Sequence, residues 1–168
     1  MADLTKEQHI ENINKVIKDV KYAMMTTITA DEKHLHACPM TTNKNELENG
    51  KIWFIGDRKS ETIKDLEKNS QVNLSYTSSD QKDFVSINGT AKLVNDKAKL
   101  DELWSPIYAA FYEKGKEDPN VQVICIECNG AQYWLSGNTV VDMFKMVSAA
   151  VQEGKTAENL GENHAVTF

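Results

Sequence analysis

The chain has 168 residues, 40% of them apolar, which is the length of one domain with enough apolar side chains for a sizeable core. A formal net charge of -6 without a strong basic cluster argues against a nucleic-acid surface. No apolar run approaches the roughly 20 residues that span a bilayer, Met1 to Glu7 lacks a secretory apolar region, and an odd count of three cysteines fits a reducing compartment, so a cytoplasmic protein away from membranes is expected.

Ile10, Ile13, Ile17 and Val20 recur at intervals of three and four, which predicts an amphipathic helix over Thr5 to Val20. Tyr22 to Thr29 reads as a strand, Asp31-Glu32-Lys33 as a turn, and His34 to Asn43 as a second strand. A polar turn follows and ends in Asn49-Gly50, a strong hairpin signal. Lys51 to Ile55 is β-branched and aromatic, as a buried strand requires. The polar stretch Gly56 to Ser60 stops it, and Ser60 is placed to cap a short helix whose apolar side carries Ile63 and Leu66. A strand that turns into a helix N-terminus leaves backbone N–H groups unpaired, and such a corner attracts anions, phosphate above all.

Val72 to Tyr76 alternates with period two. Phe84 to Val94 is a longer strand, in which Gly89 predicts a bulge or a close backbone approach. Asp96 should cap a helix through Leu103, Trp104-Ser105-Pro106 should redirect the chain, and Ile107 to Lys114 should form another short helix stopped by Gly115. Val121 to Glu127 and Ala131 to Ser136 read as a last hairpin pivoting at Asn129-Gly130. Thr139 to Val151 has helical spacing, and the polar tail from Glu153 offers Leu160 and Val166 for docking. The organisation expected is an N-terminal helix over 1–20, a barrel domain over 21–137, and a C-terminal helix and tail over 138–168. Short antiparallel strands linked by hairpins, with helices at the corners, favour a small closed or half-closed barrel. So small a barrel buries little surface alone, which makes pairing of two copies plausible.

Cys125 and Cys128 have CxxC spacing, but in a strand positions three apart face opposite sides, and no second pair completes a zinc site. Buried apolar cysteines are expected. His34, His36 and Cys38 alternate and would share a strand face, a candidate set for a soft metal or haem, although nothing fixes a fourth ligand. Trp53, Trp104 and Trp134 suit either a core or a stack on an aromatic ligand. Acyl and phosphoryl transfer have no motif to support them.

From Val20 to Leu135 the chain resembles the FMN-binding split-barrel family of pyridoxamine 5′-phosphate oxidase, in its general stress protein 26 branch. The resemblance is carried jointly by His36-Ala37-Cys38-Pro39-Met40, by Trp53-Phe54 with Ser60 six beyond, by Leu103-Trp104-Ser105-Pro106, by Phe111 through Gly115 to Asp118-Pro119, and by Tyr133-Trp134. It implies a mainly β, α+β fold, a six-stranded antiparallel split barrel, assembled as a homodimer with FMN in a groove between the subunits. Carried over position by position, the implied flavin-binding residues are Cys38, Pro39, Met40, Ile55, Gly56, Ser60 and Thr62, with Trp104 and Trp134 from the far side of the groove. The family usually has Arg at the position of Cys38 and Lys at the position of Thr62, so two phosphate-binding cations are missing, and Glu61 adds an anion beside them. Arg58, Lys59, Lys64 and Lys44 are near enough in sequence to stand in. No arginine follows Arg58, whereas the true oxidase ends in an arginine-bearing segment that holds its substrate. The resemblance therefore implies a flavin-dependent redox protein without pyridoxamine 5′-phosphate oxidase activity. The alternatives are a non-catalytic stress-associated binding protein with weakened or lost FMN affinity, or a haem or metal binder.

Overall fold

The computed structural model of the protein describes residues 4–137 and 162–168. The helix expected over Thr139 to Val151, and Leu160, lie outside the described residues. Helix α1 spans Lys6–Val20 and opens with a capping box, in which Thr5 Oγ1 accepts from the Gln8 backbone N–H and Gln8 Oε1 accepts from that of Thr5. Its buried Ile13, Val16 and Ile17 join the main core.

The strands are β1 (Tyr22–Ile28), β2 (Leu35–Thr41), β3 (Asn43–Glu48), β4 (Lys51–Asp57), β5 (Gln71–Thr77), β6 (Phe84–Val94), β7 (Val121–Leu135) and β8 (Glu162–Thr167). They form one antiparallel sheet in the order β2-β1-β5-β6-β7-β4-β3, with β8 added to β7. Its two edge strands, β2 and β3, are consecutive in the chain and separated by Thr42 alone, so the sheet must curl back on itself. The split-barrel architecture expected from the sequence is therefore present. Helix α2 (Glu61–Lys68) packs beside β1, β2 and β6. Helix α3 (Lys97–Leu103) is capped by Asp96, whose carboxylate accepts from the Ala98 and Lys99 backbone N–H groups.

Three expectations are corrected. Residues 43–48 are a strand rather than a polar turn: Lys44 has φ +57, and the β3–β4 ladder shifts register, which breaks the alternation a sequence reading needs. The hairpin signal itself holds, since Asn49 and Gly50 have φ +52 and +72 between β3 and β4. No hairpin exists at Asn129-Gly130. Residues 121–135 form one strand, because β6 pairs with it along its whole length and absorbs Asn129 as a bulge, Asn88 facing Gly130 and Gly89 facing Cys128. At that bulge β7 changes its second neighbour, from β4 over residues 121–127 to β8 over residues 130–135. The helix expected over Ile107 to Lys114 is instead a 3-10 turn, Pro106–Ala110, and Gly115 opens another, Gly115–Glu117, rather than stopping a helix.

Two clusters fill the molecule. The barrel interior holds Phe54, Leu74, Tyr76, Ile87, Ile124, Ile126 and Tyr133 among others. On the other face of β4 and β7, Ile55, Leu103, Tyr108, Tyr112, Val121 and Val123 form a second cluster, with Trp53 and Trp104 against it.

Candidate functional site

Strand β2 and helix α2 meet at the corner that the sequence singles out. In the β1–β2 ladder His36 faces Thr27, Cys38 faces Met25 and Met40 faces Ala23, all three partners being buried. Side chains two apart on a strand share a face, so His36, Cys38 and Met40 form one row against the interior. Two rungs tie that row to α2. Cys38 Sγ and Thr62 Oγ1 share a hydrogen bond at 3.0 Å. His36 Nδ1 lies 3.0 Å from Asp65 Oδ2, and because a carboxylate only accepts, Nδ1 carries the donated proton. Asp65 is 3% exposed. Its carboxylate also accepts from Thr27 Oγ1 at 2.8 Å and from the Ala30 backbone N–H at 2.9 Å, so the buried charge is fully partnered.

Ser60 caps α2, its Oγ accepting from the Ile63 backbone N–H at 3.3 Å. Among the described residues no acceptor takes its hydroxyl proton. Gly56 sits where a Cβ would meet Ile124, Met40 and Ile63 at 3.3 to 3.9 Å, so this end of β4 lies against Met40 and the first turn of α2. The structure thus brings Cys38, Met40, Gly56, Ser60 and Thr62 to one corner. Ile55 and Trp104 lie together elsewhere, in the second cluster on the opposite face of β4. Pro39 points away from Cys38 and pairs with exposed Met24. Trp134 is part-exposed on the outer side of β7, paired with Phe84 and Asn163. No described hydrogen bond or ring contact joins Trp134 to the corner.

Three of the four candidate cations are engaged. Lys44 pairs with Glu102, whose carboxyl is pulled down to about 2 by hydrogen bonds from Lys44 and Lys99. Lys64 pairs with Glu61 at 2.6 Å, one turn along α2. Arg58 donates to Asn95 Oδ1 at 3.1 Å. Lys59 has no side-chain partner among the described residues. The Lys99 ammonium lies 4.7 Å from the centroid of Trp53, so one face of that ring is covered by protein.

Among the described residues no three His, Cys, Asp or Glu side chains converge as a metal site. His34 is exposed, while His36 and Cys38 are each committed to α2. Cys125 and Cys128 are buried, as expected. Burial pushes both thiols up, that of Cys128 to about 12, which keeps them protonated and poor nucleophiles.

Asp65 was not legible as part of the corner. On a short helix an acidic residue reads as solvated, and only the docking of α2 on β2 reveals its partner. Asn43 was missed too: it is buried, its Oδ1 accepts from Tyr108 Oη at 3.3 Å, and its Nδ2 has no partner among the described residues.

A curled antiparallel sheet with a strand-to-helix corner at Ser60 defines a split-barrel fold. The chain belongs to the family described as pyridoxamine 5′-phosphate oxidase like, whose model matches residues 8–157. Among solved structures it is similar to the general stress FMN/FAD binding protein of Xanthomonas citri, at 30% identity over 80% of this chain and 93% of that one, with a TM-score of 0.68. It shares its fold with general stress protein 26 of Bacillus anthracis, at 22% identity over 75% of this chain and 93% of that one, with a TM-score of 0.64. It is also similar to the protein bli-3 of Neurospora crassa, at 26% identity over 93% of this chain and 78% of that protein.

Proposed function

We propose that this protein binds FMN in a groove shared by two copies of the chain, with the flavin phosphate at the Ser60–Thr62 corner, and that it serves a redox role through the bound flavin. The observation that carries this reading is the Cys38–Thr62 hydrogen bond beside the capped N-terminus of α2. It puts the two positions at which the family resemblance implies phosphate-binding cations in direct contact. The donors present fit a phosphate in kind. Ser60 has a hydroxyl proton that no described residue accepts, the Cys38–Thr62 pair has one proton beyond its mutual bond, and the first N–H groups of a helix favour an anion. They differ from the family pattern in charge, since none is a cation.

The bound flavin supplies the electron chemistry, and the protein supplies its seat. Cys38, Ser60 and Thr62 hold the phosphate end, while Met40 and Gly56 line the adjoining wall. Charge-assisted hydrogen bonds contribute about 1.5–3 kcal/mol each, so two missing cations weaken FMN by roughly two to four decades relative to a cationic corner. Lys44 and Lys64 are engaged with carboxylates, which leaves Lys59 and Arg58 as the neighbouring cations not paired with a carboxylate among the described residues.

The test restores the charges. Cys38→Arg with Thr62→Lys is expected to tighten FMN at least about tenfold and to leave riboflavin, which has no phosphate, unchanged. Equal tightening of both ligands, or of neither, would place the phosphate elsewhere.

A further inference from the structure

Away from the corner, the end of β6, the start of β7, helix α3 and the turn Gly115–Glu117 enclose a solvent-facing cavity of about 270 Å³. Its floor is apolar. Val94 pairs with Val123 across the β6–β7 ladder, and Leu100 and Val121 complete the surface. Val121 and Val123 are buried in the second cluster, with Val94 and Leu100 packed against it. The rim is charged and carries both signs. From α3 come Lys97 and Asp101, four apart and so neighbours on the helix surface. From the turn come Lys116 and Glu117. They pair crosswise, Lys97 with Glu117 at 2.9 Å and Lys116 with Asp101 at 2.5 Å. We propose that this cavity binds a small amphoteric molecule with an apolar side chain, of the class of the apolar α-amino acids. The site shares no residue with the flavin corner, and the proposal stands apart from the flavin reading.

Size, floor and rim each narrow the ligand. The cavity exceeds the roughly 150 Å³ that takes a benzene-sized group and falls short of the roughly 300 Å³ at which pockets for drug-sized ligands begin. Its floor of valine and leucine offers nothing to a polar side chain and gains from covering by an apolar one. The rim decides the charge. A hydrogen bond from Lys116 holds the Asp101 carboxyl below its ordinary range, and one to Glu117 holds Lys97 above its own, so both pairs are ionised at neutral pH. A ligand with one charge that enters between paired side chains leaves one of them without its counter-ion. A ligand with both charges gives the carboxylate a new ammonium and the ammonium a new carboxylate, so that no charge is stranded. The exchange is easy because exposed ion pairs are weak to begin with. Other polar groups on the wall are spent elsewhere. The Asp96 carboxylate caps α3, and Asn95 Oδ1 accepts from Arg58. The four rim charges are the groups placed to orient the ligand.

Free leucine is the probe, set against two analogues that each lack one charge: isocaproate, without the amino group, and isopentylamine, without the carboxylate. The methyl resonances of Val94, Leu100 and Val121 are followed by NMR at neutral pH and constant ionic strength. Leucine is expected to shift them saturably, and each analogue to bind about tenfold or more weakly. Asp101→Asn with Lys116→Gln removes one rim pair at the surface, and thermal unfolding checks that the fold is kept. Leucine binding should then fall about tenfold, with the analogues little changed. Leu100→Trp, which fills the cavity from α3 and keeps the rim, should abolish the response to leucine. Any one of three results overturns the proposal: no saturable shift with leucine, analogues that bind the parent as tightly as leucine does, or a double variant that binds leucine like the parent.

Discussion

A methyl group on residue 89 would lie 2.6 Å from Ile126 Cγ2 and 2.7 Å from the Glu127 carbonyl oxygen. The oxygen belongs to the backbone of β7, so no rotamer change relieves the clash. Gly89→Ala is therefore expected to destabilise the fold by about 1–3 kcal/mol. A lower denaturant midpoint at unchanged slope would show it, and an unchanged midpoint would mean that β6 and β7 are farther apart than described. Gly89 was legible because a glycine inside a strand pattern has few explanations. Cys38 and Thr62 were legible only through the family pattern, since a lone thiol and a lone hydroxyl announce nothing by themselves. Asp65 and His36 were visible as residues but not as a pair. Twenty-nine positions separate them, and their meeting depends on how α2 docks.

Helix α2 is short, so its cap matters more than it would in a long helix. Ser60→Ala should cost about 1 kcal/mol and Ser60→Gly only a few tenths, because glycine tolerates the cap conformation and leaves the N–H groups open to water. If Ser60 also donates to a bound phosphate, both substitutions should weaken FMN by a similar factor despite their different stabilities. Thermal unfolding and FMN titration of the two variants separate the cap from the contact. FMN loss confined to Ser60→Ala, in step with its larger stability loss, would show that the hydroxyl acts on the helix alone. At this scale the sequence spoke clearly where periodicity was long or turn chemistry specific. Helix α1, the Asn49-Gly50 hairpin and the Asp96 cap all appear as expected. It was silent where tertiary pairing decides. Strand β3 is polar, with Leu47 as its single apolar residue, and β8 earns its place by pairing with the far half of β7 rather than by propensity.

At the scale of the molecule, β7 organises the barrel. It pairs with β6 along its length on one side, and with β4 and then β8 on the other. Reading residues 129–130 as a turn cut this strand in two and concealed the seat of β8. The bulge at Asn129 explains the error, because Asn-Gly serves a turn and a bulge equally well. The resulting curl brings the β2 edge to α2 and forms the corner, while Ile55 and Trp104 face a separate cluster behind β4. The implied flavin residues of the chain thus lie on more than one face. The proposed flavin seat has a phosphate corner without a cation among Cys38, Ser60 and Thr62. Calorimetric titration of the purified protein with FMN is the decisive measurement for that seat. Saturable binding of one FMN per chain is expected, weak enough for the cofactor to exchange freely. The absence of any saturable heat with FMN would contradict it.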